Sequence, residues 1–256
     1  MIHPRLKQFV SAMSLEGMAI PAAPPIPRGT EDGSPGFSLE DLADSWRIHG
    51  ISYRNEVNLV DVSKTLLPPG TQDEHAQGRK EALVNGSFYA PDFPLFHRAI
   101  DALYQNREGP FKDQIEAAKT SLSSMVNGKW LTMLTRIRYA SSGQDSVIHN
   151  YKQDDRYETP SDFVGPDGLI TKQETNAGTA LQALLDTQQS PQEINTVYRW
   201  FRGTDAYLWR LNSRPASVDE RVARFEADAG RAYLLGGRDP QNSLSALGVR
   251  SSGAQK

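Results

Sequence analysis

The stretch from Tyr207 to Arg250, YLWRLNSRPASVDERVARFEADAGRAYLLGGRDPQNSLSALGVR, constrains the fold more than any other part of the chain. Two rows interleave in it. Ala223, Phe225 and Ala227 alternate along one segment, and Ala232, Leu234 and Gly236 along the next. Side chains alternate faces along a strand, so these small or apolar residues mark the packed side of a sheet. The other parity holds Arg224, Glu226 and Asp228, then Arg231, Tyr233, Leu235 and Gly237, which share no chemistry. The pattern reads as two strands with a disciplined inner face and an arbitrary outer one. An ordinary half-buried antiparallel strand shows the same alternation, so the pattern alone gives strands and faces, not a function.

Upstream, the periodicity is first helical and then two-fold. Asp92 precedes FPLFHRAIDALYQN, where Phe96, Ala99, Ile100, Leu103 and Tyr104 share a face at helical spacing. FKDQIEAAKTSLSSMV repeats the pattern with Phe111, Ile115, Ala118, Leu122 and Met125, and Asn127-Gly128 stops it. Leu131, Met133, Thr135, Ile137 and Tyr139 then alternate as a strand, and Ser141 to Gln144 forms a turn. Val147, His149 and Tyr151 return as the partner strand. Ser190 and Glu193 form a capping box with Pro191 at the first helical position, and Ile194, Val197, Tyr198 and Phe201 line that helix. Near the start, Ser38 to Asp44 reads as a short helix capped by Ser38. Glu56 to Val62 reads as a strand that ends before Pro68-Pro69-Gly70. Helices followed by a hairpin, another helix and short strands predict an α+β class.

Composition limits the function. The 256 residues suffice for one sizeable core, and 38% hydrophobic with 23% charged residues describes a globular chain. A net charge of −3 supplies no general field for nucleic acid. The absence of cysteine removes disulfides, zinc thiolates and thiol nucleophiles together. No apolar run reaches the ~18 residues of a membrane span. Glu16 interrupts the weakly apolar start, so no secretory signal is expected. Pro21 to Gly36 is dense in proline, glycine and charge, which predicts a flexible arm over residues 1–36 ahead of a domain spanning 37–256.

The histidines at 3, 49, 75, 97 and 149 show no i, i+4 pair, so no helical metal site is expected. Asp154, Asp155, Asp162 and Asp167 raise calcium, but Gly165 to Gly168 serves equally as a turn. No nucleophile elbow, P-loop or Rossmann fingerprint occurs. Trp200 and Trp209 with Arg199, Arg202 and Arg210 suggest a base-stacking face, against which stands a core role for Trp209 and Phe201 with the arginines as surface residues or structural ion-pair partners. Asp205, Asp219 and Glu220 keep an uncharacterised hydrolase among the alternatives.

LWRLNSRP (Trp209, Arg210, Asn212), DERVARF (Asp219, Glu220, Arg221) and the closing SALGVR (Ser245 to Arg250) occur together and in order. In that combination the chain resembles the variable proteins of archaeal and archaeal-virus diversity-generating retroelements. The likeness extends upstream through Trp130 to Tyr151 and Asp162 to Ile170. It implies a C-type-lectin-like fold of the formylglycine-generating-enzyme-like subtype, with helices ahead of a small twisted antiparallel sheet. Formylglycine-generating chemistry itself needs active-site cysteines, which this chain lacks. The Glu-Pro-Asn and Gln-Pro-Asp tripeptides of calcium-dependent sugar binding are absent too.

The resemblance further implies a non-enzymatic ligand-binding display protein with no metal or cofactor. Its partner would be an unidentified protein or cell-surface ligand; its location is left open, with the virion or cell surface as one option. A virion or surface structural protein without a variable role stands as the alternative. The variable region would lie at about 221–250. Glu226, Asp228, Ala229, Arg231, Tyr233, Leu235, Gly237, Arg238, Asn242 and Leu244 are its candidate ligand contacts. Ala223, Phe225, Ala227, Ala232, Leu234, Pro240, Ser243, Gly248 and Val249 would stay fixed. Tyr233 and Arg231 suit recognition because aromatic and guanidinium groups dominate contact energies. Leu235 is expected to be exposed beside them.

Overall fold

The alternation in the last third of the chain is realised as part of a seven-stranded sheet. The computed structural model describes residues 36–173, 175–228 and 230–251, with the side chains of Thr175 and Arg238 left aside. The arm expected over residues 1–36 lies, but for Gly36, outside the described residues, and so does Ala229.

Three strands come first: β1 (Ser38–Asp41), β2 (Ser45–Tyr53) and β3 (Glu56–Gly70). Helices α1 (Gln72–Asn85), α2 (Phe93–Gln105) and α3 (Lys112–Val126) follow. Then come β4 (Lys129–Tyr139), β5 (Asp145–His149), β6 (Tyr157–Ser161) and the two-residue β7 (Gly168–Leu169). After a 3₁₀ turn at Ile170–Lys172, helices α4 (Thr175–Leu185) and α5 (Pro191–Arg202) precede β8 (Ala206–Trp209), β9 (Asp219–Ala227), β10 (Ala232–Arg238) and β11 (Leu244–Ser251). One sheet has the order β1-β2-β3-β11, and the other β6-β5-β4-β9-β10-β8-β7. Every pairing is antiparallel except β10 with β8. The fold is α+β.

The inner face of the larger sheet is the one expected. Leu131, Phe225, Leu234 and Leu208 are aligned across β4, β9, β10 and β8, and all are fully buried. Phe225 lies at the centre, with ring centroids 5.0 Å from Phe96 of α2, and 5.7 Å and 6.5 Å from Tyr198 and Phe201 of α5. The helices at α2, α3 and α5 form where spacing and caps place them. Asp92 accepts from the Leu95 amide, Ser190 and Glu193 close their capping box, and Gly203 takes the left-handed C-cap with φ 73°. Strands β4 and β5 form the predicted hairpin.

Three readings of the N-terminal third are corrected. Ser38–Asp41 is a strand, not a helix: it pairs with β2 and buries Leu39 against the core. Strand β3 runs on through Pro68 and Pro69 to Gly70. The prolines fit because the ladder to β11 shifts register between the Gly70 and Leu67 pairings, where a missing N–H costs nothing. Helix α1 was not foreseen at all.

Candidate functional site

In the C-terminal region, strand register gathers the outward residues. Trp130 of β4 lies opposite Glu226 of β9, Glu226 opposite Tyr233 of β10, and Tyr233 opposite Tyr207 of β8. Directly opposed residues share a face, so these four form one row across four adjacent strands. The face is the one turned away from Phe225 and the helices. All four are half-buried. The Tyr207 and Tyr233 rings meet edge to face at 5.4 Å, and the exposed Arg231 guanidinium lies 4.8 Å from the Tyr207 ring. Asp228 Oδ1 accepts from the Gly230 and Arg231 amides (2.7 and 2.8 Å), which shapes the β9–β10 turn beside this row.

The next row along the same face is covered. Thr132, Arg224, Leu235 and Trp209 are in register, with Thr132 and Arg224 1% and Leu235 4% exposed. Arg224 Nη2 donates to the Asp239 carbonyl at 3.0 Å, so the β10–β11 loop is tied down over this row. A Cβ on Gly237 would stand 1.7 Å from Trp209 Cζ3, which places the edge of the indole against that glycine.

These facts correct two of the candidate contacts. Leu235 is not exposed, and Gly237 is buried beneath Trp209. Trp209 itself is half-buried at the outer face, not a core residue. Alternation identified the face correctly, but not what lies upon it. Of the other candidates, Glu226, Arg231 and Tyr233 belong to the outer row or its margin. Asp228 is engaged in its own turn. Asn242 is exposed, with Nδ2 donating to the Asp239 carbonyl. Leu244 begins β11 in the other sheet, opposite Gly70, and its carbonyl is bonded to His75 Nε2 at 2.8 Å. Ala229 lies outside the described residues; Arg238 is aligned with Val222 at the end of β10.

The alternative constellations come apart. Arg210 is not a surface residue: it is 1% exposed, with guanidinium bonds to the Phe163 and Pro166 carbonyls and Asn176 Oδ1. It stacks where Gly165 has no Cβ, and its amide is held by Asp167 Oδ1. Arg202 is turned to Ser123 and Asn127, and Arg199 to Asp205. The basic face of the sequence reading is therefore dispersed. Asp205, Asp219 and Glu220 each pair with a different arginine, Arg199, Arg221 and Arg136, so no two converge on one point. Asp155, Asp162 and Asp167 also go separate ways, to Arg79, Arg214 and the Arg210 amide. Among the described residues, no cluster of three or more His, Asp or Glu is arranged to hold a metal, and no helix is long and apolar enough to cross a membrane.

Burial displaces proton affinities elsewhere. It pushes Asp92 and Tyr53 up, and lowers His97 and His149 despite the opposing Asp101 and Asp92 charges. His149 Nδ1 faces the Thr135 hydroxyl and Nε2 faces the Ala183 carbonyl, the pattern of a neutral structural histidine. Comparisons of the chain with protein-family models, with curated proteins and with solved structures return no match.

Proposed function

We propose that the protein is a binding protein that presents the outer face of β4, β9, β10 and β8 to a protein or cell-surface ligand. On this reading, outward residues of 221–250 differ between copies through retroelement-directed mutagenesis, on a C-type-lectin-like scaffold. The observation that carries it is the division between the two faces. Leu131, Phe225, Leu234 and Leu208 are sealed into the core, while Trp130, Glu226, Tyr233 and Tyr207 stand in register on the other side. Change within that one row leaves the core residues of the opposite face in place. Half-buried tyrosine and tryptophan in a row supply rigid contact area at low entropic cost. The loops before α4 and between β8 and β9, together with the mostly antiparallel strands after the central helices, support the lectin-like reading. Strands β1 to β3 ahead of those helices are an addition to it.

The scaffold narrows the set open to change. Glu226, Arg231, Tyr233 and Asn242 stand half-buried or exposed and are the positions where change is expected, whereas Leu235 and Gly237 are bound by what covers them. Natural copies and flanking DNA test this directly. A near-copy of the coding stretch for residues 221–250 beside a reverse-transcriptase gene is expected, with substitutions concentrated at those four positions. Copies that vary at Ala223, Phe225 and Leu234 while keeping Glu226 and Tyr233 would overturn it. Absence of the near-copy would leave a structural role for the same face, as a packing surface between subunits.

A further inference from the structure

A cavity of about 440 Å³ lies away from the outer sheet face, walled by the β2–β3 hairpin, α1, Tyr89, the start of α2 and the loop after β5. That volume falls in the range of small-molecule sites. Its construction is unusual. The hairpin closes through Arg54 and Asn55 at φ 54° and 62°, with Tyr53 paired to Glu56. A turn with two positive φ angles favours Asn and Gly, and an arginine there is strained. Asn150 and Lys152, in the facing loop, also have positive φ, at 50° and 59°. Four of the five such non-glycine residues among the described ones thus belong to these two loops. Strain of this kind persists where the surroundings fix it, and it gathers at ligand sites.

The strained residues hold a polar wall. Asp155 Oδ2 accepts from Arg54 Nη1 at 2.7 Å, Arg79 Nη2 at 3.1 Å and Asn150 Nδ2 at 2.9 Å. Arg79 Nη1 donates to Asn150 Oδ1, and Asn150 Nδ2 also reaches the Tyr53 hydroxyl, which donates to the buried Asp92. Arg79 is 8% exposed, and its Nε has no hydrogen-bond partner. Each guanidinium carries five N–H groups, so two of them on a single carboxylate oxygen leave donor capacity over. Beside them the wall is apolar, formed by the buried Val60, Tyr89 and Leu95.

We propose that this cavity binds a small organic monocarboxylate with an apolar body, its carboxylate on Arg54 and Arg79 and its body against Val60, Tyr89 and Leu95. Asp155 and the exposed Glu56 offset the two arginines, so affinity rests on the guanidinium donors and the apolar wall together, and phosphate, which has no apolar body, lacks half of that recognition. A planar carboxylate matches the guanidinium fork, and the apolar wall supplies the remaining affinity. The site shares no residue with the outer sheet face, and its test is independent of that face.

Thermal unfolding and titration calorimetry with hexanoate and phenylacetate, each against inorganic phosphate and hexylamine, read the proposal. Both carboxylates should raise the midpoint of the unmodified protein, while phosphate and the amine leave it in place. Arg54→Gly removes the guanidinium at a position where glycine relieves the left-handed strain, which offsets the lost bond to Asp155 and keeps the variant folded. Its carboxylate affinity should fall by about tenfold or more, the usual scale for a lost charge-assisted bond. The proposal is overturned if neither carboxylate shifts the midpoint, if phosphate shifts it as far, or if Arg54→Gly binds as tightly as the unmodified chain.

Discussion

Gly237→Ala tests the description of the outer face at its most constrained point. The added Cβ would stand 1.7 Å from Trp209 Cζ3, 2.6 Å from Cε3 and 2.7 Å from Cη2. Ordinary carbon contacts lie at about 3.5–4.0 Å, so the indole must withdraw by about 2 Å. Overpacking of this kind costs ~1–3 kcal/mol. Gly237 has no positive φ, so its backbone accepts alanine, and a compatible Gly→Ala exchange by itself stabilises by ~0.4–1 kcal/mol. The two effects separate in a double-mutant cycle. In the native background the exchange should destabilise by about 1–2 kcal/mol, a fall in Tm of roughly 2–8 °C at the usual sensitivity for this chain length. In a Trp209→Ala background it should become neutral or stabilising, a coupling of about 2 kcal/mol. Urea unfolding followed by far-UV circular dichroism avoids dependence on indole fluorescence. Equal cost in both backgrounds would show that the penalty lies in the strand and not in the indole. No cost in the native background would show that Trp209 is not seated on the glycine.

Phe225→Ala should cost ~3–5 kcal/mol, the range for truncating a core aromatic, since three aromatic neighbours surround a fully buried ring; an unchanged urea midpoint would refute the inner-face assignment. Simultaneous replacement of Glu226, Arg231, Tyr233 and Asn242 should stay within ~0.5 kcal/mol per site, with up to ~1 kcal/mol more for the Tyr207–Tyr233 pair, and cooperative unfolding at a much lower midpoint would place them in the core. Stability should fall as pH drops through the ordinary histidine value of ~6.5. Burial lowers the folded pKa of His97 and His149, so the unfolded chain binds more protons in that window and stability rises with pH across it; urea midpoints that stay flat across that range would contradict it.

What was legible in the sequence follows from what is local. Helices α2, α3 and α5 combine an apolar stripe with local stop signals, so residues a few positions apart carry the whole message. Helix α1 lacks the stripe, because its buried side includes Gln72, His75 and Arg79. Those residues are satisfied by distant partners: Gln72 Nε2 bonds the Met133 and Thr135 carbonyls, and Arg79 reaches Asn150 and Asp155. The signal that could have found it is the capping box of Thr71 and Glu74. Ser38 offered an N-cap to no helix, since the β2 edge it pairs with was not visible locally. The polar cavity wall joins Arg54 to Asp155 across 101 positions, and no spacing rule reaches that far.

The same distinction governs the face proposed for recognition. Parity separates Phe225 and Leu234 from Glu226 and Tyr233 without knowledge of any neighbour. It says nothing of Trp209, which arrives from the parallel strand β8 to cover Gly237, or of the loop that takes the Arg224 bond. The adjacent glycines then serve opposite sides. A Cβ on Gly236 would stand 2.6 Å from both Ile137 Cδ1 and Phe163 Cε1, and the Gly236 carbonyl accepts from the Tyr139 hydroxyl at 2.7 Å. From Leu235 onward, β10 is therefore fixed on both faces, and only Tyr233 of its outward residues stands open. On the proposed reading, substitution is then expected at Glu226 and Tyr233 where the two strands face outward, at Arg231 in the turn between them and at Asn242 in the loop before β11, and not at Leu235 or Gly237.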